Sequence, residues 1–193
     1  MDSTTDTRLL DALGEALVAR GLARTTVADV ARIAGTSKRT FYEHFATKDE
    51  AFLALYAARS EQLLAAISGV VTEPSAPIEQ QIRGGVAAYV DFLAHNPELV
   101  RAHMLESHAL GDLGLRARRH LMDTHAAYLR GLVDRARAHH PTLRALSEPE
   151  SIGLVAGLTE LTLRAVMDQR PLDGKGHIDS AVEFIAALVH PRP

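Results

Sequence analysis

Residues 26–45 read TVADVARIAGTSKRTFYEHF, and their pattern of apolar and polar residues is that of a helix-turn-helix. Val30 and Ala31 give the first of two short helices an inward face. Ala34 and Gly35 are small, as they must be where two helices approach closely at a turn. The stretch therefore predicts two short packed helices joined by a tight turn.

The second of these helices combines an apolar face with a polar one. Phe41 and Phe45 are four residues apart, so both rings lie on one face and would anchor the helix in the core. The opposite face carries hydroxyl groups and cations. A recognition helix inserts its N-terminal residues into the major groove of DNA, where Arg or Lys donating to guanine is the commonest specific contact. We expect Lys38 and Arg39 to contact base edges. Phosphate contacts, which position the protein, are predicted for Thr26, Thr40, Tyr42 and Lys48, and Ser37 and His44 complete the predicted DNA-binding set.

The charge of the chain is concentrated in the same region. The whole chain has a net charge of -3, whereas residues 24–48 hold five basic and two acidic side chains, a net charge of +3. A basic island in an otherwise acidic protein indicates local contact with a polyanion. The alternative is a helix-turn-helix with a purely structural role in a helical bundle.

Composition limits the class of protein. The chain has 193 residues, of which 47% are hydrophobic and 23% charged, which is ordinary for a soluble globular protein. No apolar run approaches the roughly 20 residues of a membrane helix, and no secretory signal is visible. Cysteine is absent, which excludes disulfides, thiol chemistry and thiolate zinc sites. We expect a cytoplasmic protein without membrane contact.

Helix is favoured nearly everywhere, because Ala, Leu and Arg are abundant and β-branched runs are scarce. Capping residues and glycines mark the helix ends. The predicted helices are residues 4–20, 26–34, 37–45, 48–70, 77–94, 97–110, 113–139, 148–169 and 177–189. We therefore expect an all-α fold, with a three-helix domain at residues 1–48 and a roughly six-helix domain at residues 49–193.

The stretch from Thr26 to Phe52 resembles the DNA-binding signature of the tetracycline-repressor (TetR) family. The family pattern is roughly T-x-x-x-I-A-x-x-A-G-V-S-x-x-T-x-Y-x-x-F-x-x-K-x-x-L. Val30, Thr36 and Ala51 depart mildly from it. The matching residues are Thr26, Ala31, Ala34, Gly35, Ser37, Thr40, Tyr42, Phe45 and Lys48.

The resemblance implies a transcriptional regulator rather than an enzyme, and a repressor that responds to a small-molecule effector. Two copies would place their 37–45 helices in successive major grooves of a near-palindromic operator in double-stranded DNA. The larger domain would bind the effector and form the homodimer. An effector that favours one spacing of the two readers would shift the population between forms that bind DNA and forms that do not. No cofactor is implied.

The helix at residues 148–169 supports the dimer independently, because its apolar residues point in every direction. A helix that is apolar on all sides must be buried on all sides, and a second copy of the chain could cover one of them. The helix at residues 177–189 is its expected companion. The alternative is a central core helix inside one monomer. The predicted interface residues are Ile152, Gly153, Val155, Ala156, Gly157, Leu161, Val182 and Ile185.

The helices between residues 77 and 139 mix apolar bulk with a few polar groups, a composition typical of ligand cavities. The predicted pocket residues are Tyr89, Phe92, His103, Met104, Ser107, His120, Thr124 and Tyr128.

Seven of the ten histidines also lie between residues 95 and 140. A metal sensor could use His103, Glu106, His108 and His120. Yet no two histidines are spaced i,i+4 on one helix face, so we predict no metal site. Two other functions remain open, an enzyme that uses the histidine-rich helices and a helical adaptor that binds proteins.

Overall fold

The computed structural model describes residues 3–102, 106–172 and 175–190. These residues form helices and no strands, which confirms the all-α prediction. The helices are α1 (Ser3–Arg20), α2 (Val27–Ile33), α3 (Lys38–His44), α4 (Lys48–Val70), α5 (Ile78–His95), α6 (Pro97–Arg101), α7 (Ser107–Ala109), α8 (Gly111–Arg137), α9 (Glu148–Met167) and α10 (Lys175–Val189).

Helix starts follow the capping residues of the sequence. Thr26 and Asp29 form a reciprocal capping box at α2, and Ser37 accepts a hydrogen bond from the Thr40 amide at the start of α3. A second capping box joins Ser147 and Glu150 at α9. These bonds satisfy amide groups that have no partner inside the helix.

Two glycines end helices in a conformation that other residues rarely adopt. Gly21 follows α1 with a φ of 77°, and Gly35 lies in the turn between α2 and α3 with a φ of 62°. A left-handed residue at these points reverses the chain direction at little cost when it lacks a Cβ. The turn before α3 therefore depends on Gly35.

The helices form two compact units. The first contains residues 1–61 and 96–118. Its core includes Leu9, Leu13, Phe41, Phe52 and Tyr56, each no more than 2% exposed. Within this unit α1 packs against α2, and α2 packs against α3.

The second unit contains residues 62–95 and 119–193. Helix α5 packs against α10 through Val86, Val90, Ala181 and Val182. Within the described ranges, no helix is long and apolar enough to cross a membrane. The predicted boundary after residue 48 divides a DNA-binding domain from a domain for effector binding and dimerisation, and it stays a prediction.

Candidate nucleic-acid interface and internal cavity

Helix α3 is anchored on one side and open on the other. The Phe41 ring is fully buried, and the Phe45 ring lies 5.7 Å from it, centroid to centroid. Lys38, Arg39 and Tyr42 are exposed. This side of the helix therefore offers an amine, a guanidinium and a phenol to a partner.

Hydrogen bonds between neighbouring side chains hold some of the polar groups of α3 in place. The hydroxyl oxygens of Ser37 and Thr40 are 3.0 Å apart. Arg39 Nε donates to Glu43 Oε1 at 3.0 Å, while 89% of the Arg39 side chain stays exposed. A solvated pair of this kind is weak, so the guanidinium can exchange Glu43 for a stronger acceptor.

Thr26 uses its hydroxyl within the protein. The Thr26 hydroxyl donates to Asp29 Oδ2 at 2.7 Å, and it also accepts from the Asp29 amide at 3.2 Å. These bonds lower the pKa of Asp29, so its carboxylate stays charged and also accepts from Arg20 at 3.0 Å. The cap fixes the start of α2.

Lys48 and His44 have internal partners that sequence reasoning missed. Lys48 Nζ donates to the carbonyl oxygens of Leu22 and Thr25 at 2.7 and 2.8 Å. His44 Nδ1 lies 2.5 Å from Asp6 Oδ1. The partners are 23 to 38 residues away, and no local pattern in the sequence marks them.

A second ionic cluster joins three helices of the first unit. Arg59 of α4 donates to Asp11 of α1 at 2.7 Å and to Glu98 of α6 at 2.8 Å. Glu98 and Arg59 are only 11% and 15% exposed. Glu98 also lies over Gly14, where an added Cβ would be 3.2 Å from its Cγ. No local pattern in the sequence marks this cluster.

The second unit contains a cavity. Its volume is about 130 Å³. Among the residues that the structure describes, the lining includes no Asp, Glu, Lys or Arg. It consists of Leu64, Ile67, Val71, Ile78, Gln81, Ile82, Gly85, Val86, Tyr89, His125, Tyr128, Leu129, Leu132, Val133, Ala136, Leu154, Val155, Leu158, Thr159 and Ile185.

The polar groups of this lining are neutral. Tyr89 Oη lies 3.1 Å from Thr162 Oγ1, and Tyr128 Oη lies 2.6 Å from Ser68 Oγ. Burial lowers the pKa of His125 to about 4, so its imidazole is uncharged near pH 7. A cavity of this composition accommodates an apolar ligand group and offers no countercharge to an ion.

Of the predicted pocket residues, Tyr89 and Tyr128 line the cavity. His103 and Met104 lie outside the described residues. The others do not line it in the described part of the chain: Ser107 belongs to the first unit, His120 and Thr124 are exposed on α8, and Phe92 lies further along α5.

The predicted interface residues occupy different sides of α9 and α10. Gly153 and Ala156 are exposed, whereas Val155 and Val182 are buried within the second unit. Ile152, Gly157, Leu161 and Ile185 are half-buried. Gly157 has the close approach expected of it, but to α10 of the same chain: a Cβ there would lie 2.6 Å from the Phe184 ring. Met167, which was not predicted, is 72% exposed at the end of α9.

No group of three or more side chains with metal-ligand chemistry comes together in the residues that the structure describes. Of the histidines considered for a metal site, His108 and His120 are exposed, and His103 is outside the described ranges.

Comparisons with known proteins agree with this geometry. Residues 9–55 match the family described as "Bacterial regulatory proteins, tetR family". The HTH-type transcriptional activator FasR of Mycolicibacterium smegmatis is 30% identical over 91 residues, which are 47% of this chain and 41% of FasR. The match thus spans about two fifths of the length of that relative.

Solved structures share the fold along nearly the whole chain. FadR of Bacillus subtilis, solved in complex with stearoyl-CoA, has a TM-score of 0.79 at 17% identity and covers 95% of this chain and 99% of its own. FadR of Bacillus halodurans has a TM-score of 0.82 at 16% identity and covers 99% and 100%. At these identities the likeness shows the fold alone. Residues 9–55, which include the helix-turn-helix, are therefore similar to the DNA-binding part of the tetR family of bacterial regulatory proteins, and the rest of the chain shares the all-helical fold of the solved structures.

Proposed function

We propose that this protein is a sequence-specific, DNA-binding transcriptional regulator that acts as a homodimer on a near-palindromic operator. The observation that carries the proposal is the outer side of α3, where Lys38 and Arg39 are exposed above a helix anchored by Phe41. A short helix held from behind, with cations near its N-terminus, suits the major groove. Such a protein acts where the chromosome lies, in the bacterial cytoplasm.

The proposal is tested by selecting bound sequences from a random duplex pool. The Lys38→Ala/Arg39→Ala variant is run in parallel, since both side chains are exposed and their loss leaves the core intact. We expect a near-palindromic motif with the natural protein and no enrichment with the variant. Enrichment of the same motif by both proteins would contradict the assignment of α3.

We further propose that the protein represses transcription and releases its operator when an effector binds. FasR is named an activator, so the sign of regulation needs its own measurement. A reporter gene placed behind the selected operator should be expressed more strongly when the natural protein is replaced by Lys38→Ala/Arg39→Ala. Lower expression with that variant would instead assign activation.

The effector is proposed to occupy the cavity of the second unit with an uncharged, apolar part. The lining carries no ionic side chain, and its one imidazole is neutral. FadR of Bacillus subtilis was solved with stearoyl-CoA, whose acyl chain has this chemistry. Stearoyl-CoA and 1-dodecanol are therefore suitable first probes.

Two adjacent glycines of α5 offer a matched test of this site. Gly85 lines the cavity, whereas an added Cβ at Gly84 meets no atom within 4 Å. We expect Gly85→Leu to fill the cavity and abolish the rise in melting temperature that a probe causes, and Gly84→Leu to retain it. Equal rises in both variants would place the ligand elsewhere.

The homodimer is supported by the exposed side of α9. Gly153, Ala156 and Met167 are all exposed at spacings that put them on one side of this helix. Small residues let a second helix approach closely, and a large exposed methionine is better buried against a partner.

A further inference from the structure

The first turns of α1 reach the helix-turn-helix at two places. Asp6 Oδ1 lies 2.5 Å from His44 Nδ1, at the last residue of α3. Arg8 Nη2 donates to the carbonyl oxygen of Ala34 at 2.5 Å, at the turn that precedes α3. We call Asp6 and Arg8 the N-terminal brace.

The brace contacts the turn before α3 and the last residue of α3. The helix has only seven residues, and the two phenylalanines hold it from its inner side alone. Rotation or sliding of so short a helix would displace Lys38 and Arg39 while leaving the rings in the core. Bonds at the turn and at the far end of α3 resist both motions.

The geometry also bears on His44, which the sequence suggested as a DNA contact. Its side chain is only 13% exposed, and the side chain of Asp6 is 30% exposed. Nδ1, which faces the Asp6 carboxylate, is not available to a phosphate, and the low exposure of the ring restricts the access of Nε2 to one. A bond to a carboxylate that is partly shielded from water is also stronger than one on the open surface.

We propose that Asp6 and His44 are positioning residues for DNA recognition, which hold the end of the reading helix without touching the operator. Arg8 supports the other end through Ala34. This inference rests on the proposed function. It adds Asp6 and Arg8, which are not among the predicted DNA contacts, and it gives His44 a positioning role in place of a DNA contact.

Replacement of Asp6 separates positioning from simple electrostatics. Asp6→Asn removes a negative charge close to DNA, so charge alone predicts tighter operator binding. Positioning predicts weaker binding, by roughly 3- to 10-fold for the loss of one charge-assisted bond. Glu15→Gln is the matched control, because Glu15 is exposed on the same helix and forms no ion pair in the described residues. It should leave affinity the same or slightly improved.

The partner is tested by His44→Leu. We expect weaker binding with an unchanged slope of log affinity against log salt, because no phosphate contact is lost; a lost phosphate contact lowers the slope by about one. The double variant Asp6→Asn/His44→Leu should bind at least as tightly as His44→Leu alone, since it no longer leaves a carboxylate without its partner. Tighter binding by Asp6→Asn, or a reduced slope in His44→Leu, would overturn the proposal.

A measurement without DNA distinguishes failure of this inference from failure of the proposed function. Amide hydrogen exchange in the free natural protein and in the variants reports the local stability of α3. Asp6→Asn should speed exchange at residues 41–44 several-fold relative to Glu15→Gln, at an unchanged melting temperature. Equal exchange in both variants would refute the brace even if the natural protein binds its operator. Faster exchange would support the brace even if no operator is found.

Discussion

Arg39 projects from α3 with 89% of its side chain exposed, and its guanidinium already has a carboxylate partner in Glu43. The pair is one helical turn long and solvated, so it costs little to open. When Arg39 turns towards a base, Glu43 is left facing the phosphates. An acidic residue in that position weakens DNA binding and reduces the number of orientations open to Arg39.

We expect Glu43→Gln to tighten operator binding by roughly 3- to 10-fold, because it removes a repulsive charge and frees Arg39. Fluorescence anisotropy with a labelled operator at several salt concentrations measures this. Glu61→Gln, an exposed position on α4, is the control and should change affinity less than twofold. Weaker binding by Glu43→Gln would mean that Glu43 holds Arg39 in its reading orientation.

His125 should make folding stability depend on pH. Burial lowers its pKa from 6.5 to about 4, so the unfolded chain takes up this proton at a higher pH than the folded protein does. Stability therefore falls as the pH drops from 6.5 towards 4. The loss from this one group is about 2 kcal/mol between pH 7.5 and pH 5.

Urea unfolding at both pH values checks the effect. In His125→Leu the difference between the two pH values should shrink by about that amount. Replacing the exposed His108 by Leu is the control and should leave the difference unchanged. An unaltered pH dependence in His125→Leu would show that other groups cause it.

At the scale of single residues, the sequence predicts which side chains are buried or exposed better than it predicts their hydrogen-bond partners. The phenylalanines of α3 and its exposed cations follow from spacing within one helix. The bonds of Lys48 and His44 do not, because Leu22, Thr25 and Asp6 approach them only after the chain has folded. Side chains that a motif would assign to DNA can thus be engaged within the protein.

At the scale of the element, capping decides where helices begin. The Ser147 hydroxyl accepts from the Glu150 amide, and Glu150 accepts from the Ser147 amide at 2.9 Å. A hydrogen bond from Arg144 and these bonds from Ser147 lower the pKa of Glu150 to about 2. The capping box therefore keeps its charge at any physiological pH.

Ser147→Ala should lower the free energy of unfolding by about 1 kcal/mol, since it removes the cap of α9. Urea unfolding at pH 7 measures the change. The control is Ser180→Ala, whose hydroxyl donates to the Gly176 carbonyl inside α10 and is exposed. If both variants lose the same small amount of unfolding free energy, the cap of α9 stabilises the protein no more than an ordinary exposed hydroxyl does.

The sequence predicts where helices begin and end because capping is a local interaction. Prolines, glycines and capping residues act locally, so the predicted 48–70 helix coincides with α4 and most others agree within three residues at each end. The predicted helix at residues 97–110 contains both α6 and α7, and residues 103–105 between them lie outside the described ranges. Gly114 packs so closely on Ser107 that a Cβ would lie 1.7 Å from its carbonyl oxygen, a contact that no periodic pattern reveals.

At the scale of the molecule, α9 serves two surfaces. Leu154 and Ala165 are buried in the second unit, while Gly153 and Ala156 face outwards. The all-round apolar character of the helix thus reflects an internal core and an exposed side together. The sequence could not divide its residues between these surfaces. It also could not locate a cavity whose lining comes from five separate helices and the residue after α4.

Ala156→Arg should convert the proposed dimer to a monomer, because it places a charge where two helices would meet. Sedimentation velocity at micromolar concentration measures the assembly. Ala127→Arg, at an exposed position of α8, is the control and should leave the mass unchanged. A dimer that persists in Ala156→Arg would locate the interface on another surface.

The bonds of Lys48 give this molecule a built-in chemical reporter. Its amine is held between two carbonyl oxygens of the segment that joins α1 to α2, whereas the amine of Lys38 is exposed. An acylating reagent attacks only an amine that is free and deprotonated, so it should modify Lys38 quickly and Lys48 slowly. The ratio of the two rates, read by mass spectrometry, follows the closing of that segment onto α4 without requiring an operator or an effector.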